Sequence, residues 1–142
     1  MVAERITSPS NPRVKAFAKL KTARRRQQTA LFLIEGYREI ERALAANVVI
    51  ENLLVCHELL SDEGRRITSE VAPAKHVELD ETPFRKVALR KNPPGVIAVA
   101  RQFDTALTAL HVDNRPLVLI VEHVEKPGNL GAMMRTADAV GV

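Results

Sequence analysis

From residue 31 onward the chain alternates between short continuous apolar runs and stretches in which apolar residues recur three or four positions apart. Residues 31–34 form such a run, closed by Glu35-Gly36; Tyr37, Ile40, Ala43 and Leu44 then fall at helical spacing. The next strand lies within 48–55, and Ser61 or Asp62 can cap a short helix carrying Ile67 and Val71. Residues 76–79 read as a third strand, and Thr82-Pro83 opens a helix bearing Phe84, Val87 and Leu89. Asn92-Pro93-Pro94-Gly95 marks a turn, and 96–100 is a fourth strand. Strand and helix alternating in this way predict a small three-layer α/β domain over 31–101 with a largely parallel sheet.

The segment before it, 1–30, follows another pattern. Asn11-Pro12 is a helix start, Asn as N-cap and Pro at the first helical position. Val14, Phe17, Ala18 and the stem of Lys21 share one narrow face, and Arg24, Arg25 and Arg26 follow near the C-terminal end, where cations suit the helix dipole. The segment holds eight Lys/Arg (Arg5, Arg13, Lys15, Lys19, Lys21, Arg24, Arg25, Arg26) against Glu4, a charge of +7. The rest, with 13 bases and 16 acids, carries −3. Such a basic arm is either a polyanion-binding element or a solvated helix face. With Phe17 as its one large aromatic, it does not suit a membrane surface.

Beyond the α/β pattern, residues 102–115 read as a linker with a helical turn around 105–110, ending at Pro116. Residues 117–121 are five consecutive apolar residues, the signature of a strand buried on both faces of a parallel sheet. A loop over 122–128 leads to a helix from about 130 to 139 with Leu130, Met133, Met134 and Ala137 as its buried stripe and Asn129 as its N-cap. The chain would then start a second strand near Val142. No apolar run approaches the roughly 18–20 residues of a membrane span, and Glu4 and Arg5 interrupt any signal-peptide core. Cys56 alone makes no internal disulfide, and His57, His76, His111 and His123 lack metal-ligand spacing, so no metal site and a cytoplasmic location are expected.

The chemistry concentrates in 122–141, EHVEKPGNLGAMMRTADAVG, where a Pro-Gly turn delivers a helix N-terminus able to face an anion. Taken singly, each residue has a plainer role: Asn129 a cap, Asp138 an i,i+3 partner for Arg135, the methionines core. Glu122 and Glu125 are read as exposed loop acids. Together the string resembles the first motif of the SpoU (TrmH-type) RNA 2′-O-ribose methyltransferases, Asn-x-Gly-x-x-x-Arg followed by Thr-x-Asp-Ala-x-Gly. Asn129, Gly131, Arg135, Thr136, Asp138, Ala139 and Gly141 match it in order. Upstream, Ile6-Thr7-Ser8 with Asn11-Pro12 and Lys15 resembles the family's N-terminal arm. Phe32-Leu33-Ile34-Glu35-Gly36 resembles the start of its substrate-binding domain, and residues 94–99 its end. Pro93-Pro94-Gly95 departs from the Pro-Gln-Gly common in members.

The resemblance implies a ribosomal-protein-like RNA-binding domain at 31–101. It also implies, at 116–142, the first strand and helix of an incomplete trefoil-knot domain that in a complete enzyme binds S-adenosylmethionine and forms a homodimer. It implies catalytic roles for Asn129 and Arg135, and an rRNA or tRNA substrate. The candidate RNA-binding residues are Arg13, Lys15, Lys21, Arg24, Arg25, Arg26 and Arg38. Cofactor-binding motifs are expected beyond Val142, so these 142 residues are expected to bind RNA without binding the methyl donor or catalysing transfer. The alternatives are a stand-alone, ribosome-associated RNA-binding module or, less in keeping with the apolar run before the loop, a KH-type clamp at Gly128-Asn129-Leu130-Gly131. A dinucleotide or P-loop site lacks its glycine pattern.

Overall fold

The computed structural model describes residues 5–112 and 114–142. Residues 1–4 of the basic arm and Asp113 of the linker lie outside them. The chain divides into two compact units, 1–103 and 104–142.

The first unit is built on strands β1 (Arg5–Ile6), β2 (Leu31–Glu35), β3 (Ile50–Val55), β4 (His76–Leu79) and β5 (Val96–Arg101), in the order β1-β4-β3-β5-β2. Its helices are α1 (Pro12–Lys19), α2 (Ala23–Thr29), α3 (Tyr37–Ala45), α4 (Asp62–Glu70) and α5 (Glu81–Val87). Alternation along the strands sends Leu54, Cys56, Val77, Leu79, Ile97 and Val99 into a core with Val14 and Phe17 of α1 and Phe84 and Val87 of α5. Leu53, Val55, Val96 and Ala98 face the other way, onto Ile40 of α3 and Ile67 of α4. In β3 the side-chain phase is reset by a bulge: Ile50 pairs with Ala100 and Asn52 with Val99. That extra residue lets Ile50 join Leu53 and Val55 on one face although 50 and 53 are an odd number apart.

The sheet is mixed, a correction to the largely parallel one expected. β1–β4 and β3–β4 are parallel, whereas β5 runs antiparallel to both β2 and β3. The reason lies in α5. Its seven residues rise about 10 Å, roughly half the length of a six-residue strand. The chain therefore leaves β4 beside Val55 and enters β5 beside the same residue, through the Val55↔Glu78 and Val55↔Val96 pairs. The C-terminal ends of β2, β3 and β4 thus gather at one edge of the sheet, with the loop 88–95. Gly95 lies there at φ +77°, so close to Leu59 and Leu60 that a Cβ would come within 2.7 Å of their backbone.

Residues 5–30 are part of this unit. β1 lies along β4, and Arg5 holds it there through Glu58 (2.7 Å) and Asp80 (2.5 Å). The single basic helix expected here is two. Asn11 caps α1 as read, its side chain accepting from the Arg13 amide at 2.8 Å. The helix stops at Leu20, which is buried with Val14 and Phe17, and the Thr22 hydroxyl donates back to the Lys19 carbonyl before α2 begins. Elsewhere Ser61 caps α4 as expected, accepting from Gly64, but Leu89 lies outside α5 and is exposed.

In the second unit a 3-10 turn at Leu107–Ala109 precedes helix α6 (Pro127–Ala139). The strand expected at 117–121 is not formed: these residues pair with no other strand among the described residues and are 40–88% exposed. An apolar run becomes a central strand only where neighbours supply both ladders. No described helix is long and apolar enough to cross a membrane.

Candidate functional site

The basic residues separate by what they touch. Lys21 donates from Nζ to the Lys86 carbonyl (2.9 Å), and Lys86 from α5 donates to the Pro9 carbonyl (2.8 Å). Arg26 turns back from α2 and donates from Nη1 to the carbonyls of Leu20 (3.2 Å) and Lys21 (2.9 Å), closing the open end of α1. These cations meet carbonyl oxygens and, among the described residues, form no ion pair with a carboxylate. Arg24, Arg13 and Lys15 are exposed on the same pair of helices, and Arg25 is half-buried with Nε unpartnered. Arg38 is not with them. It lies over the Tyr37 ring (5.6 Å to the centroid) on α3, whose core contacts are on the opposite face of the sheet.

Sequence reasoning missed the second half of this surface. Arg85, Lys86, Arg90 and Lys91 place four bases within seven residues, a legible charge run. What the run could not show is that α5 packs against α1. Arg85 pairs with Glu81 (2.6 Å) and Arg90 with Glu39 (2.7 Å); Lys91 is exposed, and Lys86 lies beside the Lys21 end of α1.

Glu35 was read only as part of a motif; it is a buried carboxylate. Its Oε2 accepts from the backbone amides of Leu89 (2.7 Å) and Arg90 (3.0 Å), and its Oε1 is buried with no hydrogen-bond partner. The next residue, Gly36, is at φ +118°, and a Cβ there would come 2.2 Å from Glu39 Oε2. The Glu35-Gly36 pair therefore fastens the end of β2 to the loop after α5.

Cys56, read as structural, is buried and donates to Glu58 (3.2 Å). Burial first, then the Glu58 carboxylate, push its thiol up to about 11. Between the ordinary value of 9.0 and about 11, the unfolded chain ionises while the folded one holds its proton, so this thiol withdraws stability as pH rises through that window. Iodoacetamide at pH 8 is expected to alkylate Cys56 roughly 100-fold more slowly in the native than in the denatured protein, the ratio of thiolate fractions alone. Native and denatured rates within about threefold of each other would refute this assignment.

The transferase-like residues lie on α6. Its N-cap is Lys126, with Pro127 in the first turn, so Asn129 is inside the helix and does not cap it as expected. Proline fixes the helical φ three residues earlier than the apolar stripe suggested. Asn129 and Arg135, six residues apart, are about 120° apart around the helix, and no hydrogen bond joins them among the described residues. Arg135 forms no ion pair with Asp138 in the described structure; its guanidinium lies back along the helix, where a Cβ on Gly131 would be 3.5 Å from Nη1. Beside α6 is an apolar groove of about 510 Å³ lined by residues including Leu117, Leu119, Met133 and Val140. Thr136 supplies its one side-chain hydroxyl, already donated to the Ala132 carbonyl (3.2 Å). S-adenosylmethionine needs partners for an adenine, a ribose and an amino acid head. This groove offers none, and the residues present do not fit that cofactor.

The basic α/β unit is followed in the chain by a helix carrying Asn129, Gly131 and Arg135. The chain belongs to the family of MRM3-like substrate binding domains, whose sequence model matches residues 11–98. It is 33% identical over 139 residues to the 23S rRNA (guanosine(2553)-2′-O)-methyltransferase RlmP of Bacillus subtilis (strain 168), covering 98% of this chain and 52% of that protein. A crystal structure of an RNA 2′-O ribose methyltransferase superposes with a TM-score of 0.79 at 40% identity, over 98% of this chain and 53% of the other. The SpoU methyltransferase AviRb of Streptomyces viridochromogenes, in complex with AdoMet, shares the fold (TM-score 0.75, 23% identity, 93% and 51% coverage). The SpoU-type resemblance is therefore correct, and the chain spans about half the length of the relatives it matches.

Proposed function

We propose that this chain is the RNA-holding part of an S-adenosylmethionine-dependent RNA 2′-O-methyltransferase acting on ribosomal or transfer RNA. The observation that carries the reading is the cluster Lys21, Arg26 and Lys86, which places cations on backbone carbonyls with no carboxylate partner among the described residues. The family match and the relatives named above give the reaction class. S-adenosylmethionine, when bound by the complete enzyme, supplies the methyl group. A ribose 2′-hydroxyl is a poor nucleophile until its proton is removed or polarised. Guanidinium stays protonated and makes a poor base. Arg135 therefore stabilises the developing alkoxide and grips a neighbouring phosphate, while Asn129 organises the site. The described residues hold RNA and transfer no methyl group by themselves. A ribosomal-protein-like layering of the first unit, a trefoil knot, a homodimer and a cytoplasmic location belong to the same proposal.

RNA binding by this chain, followed by fluorescence anisotropy, is expected to weaken steeply with salt. Arg24→Gln and Lys15→Gln should each reduce the log–log slope by about 0.7–0.9 if they contact a phosphate. A slope near zero in the native protein would remove the basic helices from the reading. The self-contained first unit also suits a stand-alone RNA-binding module; methyl transfer by a protein of the relatives' full length separates the two.

A further inference from the structure

Where α1, α2, β2 and the loop after α5 meet, a cavity of about 170 Å³ is lined by Leu20, Lys21, Arg26, Phe32, Leu33 and Leu89. Four apolar residues and two cations line it, and no acid. Leu20 is buried, whereas Leu89 is 55% exposed. Glu35 fixes the Leu89 backbone, since its Oε2 holds the Leu89 and Arg90 amides. Both cations are also fixed, Lys21 on the Lys86 carbonyl and Arg26 on the carbonyls of Leu20 and Lys21. The lining is thus set by folding.

We propose that this cavity is a subsite for one unpaired nucleotide of the bound RNA. Its base lies against the apolar residues, and the adjoining phosphates lie between Lys21 and Arg26. The inference rests on the RNA-binding reading above and gives it a location. Size and charge choose the occupant. The cavity is well below the 300–1,000 Å³ of drug-sized ligand sites, so it takes one flat ring system rather than a larger molecule. An apolar lining that includes the aromatic Phe32, beside two cations, is the combination that suits single-stranded nucleic acid, whose bases stack on aromatic side chains while the backbone meets positive charge. An apolar peptide segment would fill the floor and leave Lys21 and Arg26 without anions.

The experiment compares two single-stranded RNA dodecamers of equal charge, one carrying all its bases and one with abasic sites at its central positions, in anisotropy titrations against the intact chain. The base-bearing strand is expected to bind about tenfold more tightly. Leu89→Ser should lower that affinity roughly fivefold and leave the abasic strand unchanged, whereas Lys21→Gln should weaken both. Leu89 is exposed and outside every element, so its replacement spares the core, which a thermal melt checks. As a measurement free of substitutions, the methyl resonances of Leu20, Leu33 and Leu89 should shift with the base-bearing strand and not with the abasic one. Equal binding of the two strands, or methyl shifts that ignore the bases, overturns the subsite while leaving RNA binding intact. Failure of both strands to bind overturns the RNA reading itself.

Discussion

In a protein of the relatives' full length, Arg135→Lys is expected to lower kcat for RNA methylation about 100- to 1,000-fold while RNA affinity stays within about twofold. Lysine keeps the charge and loses the planar fork of donors. A role that depends on direction is lost where a role that depends only on charge survives. The helix favours such a role. Gly131, one turn earlier, leaves the flank of the guanidinium open, and no carboxylate of the described structure pairs with Arg135. Asn129→Ala should slow turnover as well, but by less, since it is proposed to organise rather than to stabilise charge. Wild-type turnover by Arg135→Lys would remove the guanidinium from the chemistry.

Glu35→Ala is expected to destabilise the chain by about 2–3 kcal/mol, because two part-buried amides lose their shared acceptor at once. For a unit of this size that corresponds to roughly 10–20 °C in melting temperature. Glu35→Gln keeps a carbonyl oxygen that can serve both amides and should lose less than half as much. A Glu35→Ala melt within about 2 °C of the native one would mean that water replaces the carboxylate at no cost.

Most elements of the first unit were legible, and for local reasons. Asn11 and Ser61 announce helix starts by chemistry that acts within three residues. The strands at 31, 76 and 96 are bounded by turn residues. What was not legible depends on distant neighbours. The direction of β5 follows from where α5 delivers the chain, a matter of helix length and not of apolar period. The break after α1 follows from the burial of Leu20, which a helical stripe through Lys21 leaves out. Glu35 is legible as part of the motif at 32–36, but its burial depends on the loop after α5, which supplies the Leu89 and Arg90 amides. At 117–121 the pattern described a strand whose ladders are not among the described residues, so composition alone misjudged what forms. The motif on α6 was readable as a string of residue types, yet Pro127 and not Asn129 sets where that helix begins.

The carbonyl-held cations have a thermodynamic consequence. A free surface lysine or arginine loses rotamer freedom when it meets an anion, at about 0.5–1.5 kcal/mol for each side chain ordered. Lys21, Lys86 and Arg26 lose most of it during folding, since each already rests on the backbone. A ligand that matches their spacing meets side chains already in place, and one that does not must first pull them from their carbonyls. Under the proposed RNA-binding reading, charges fixed in this way would tell one arrangement of phosphates from another, which a flexible basic tail of the same net charge would not.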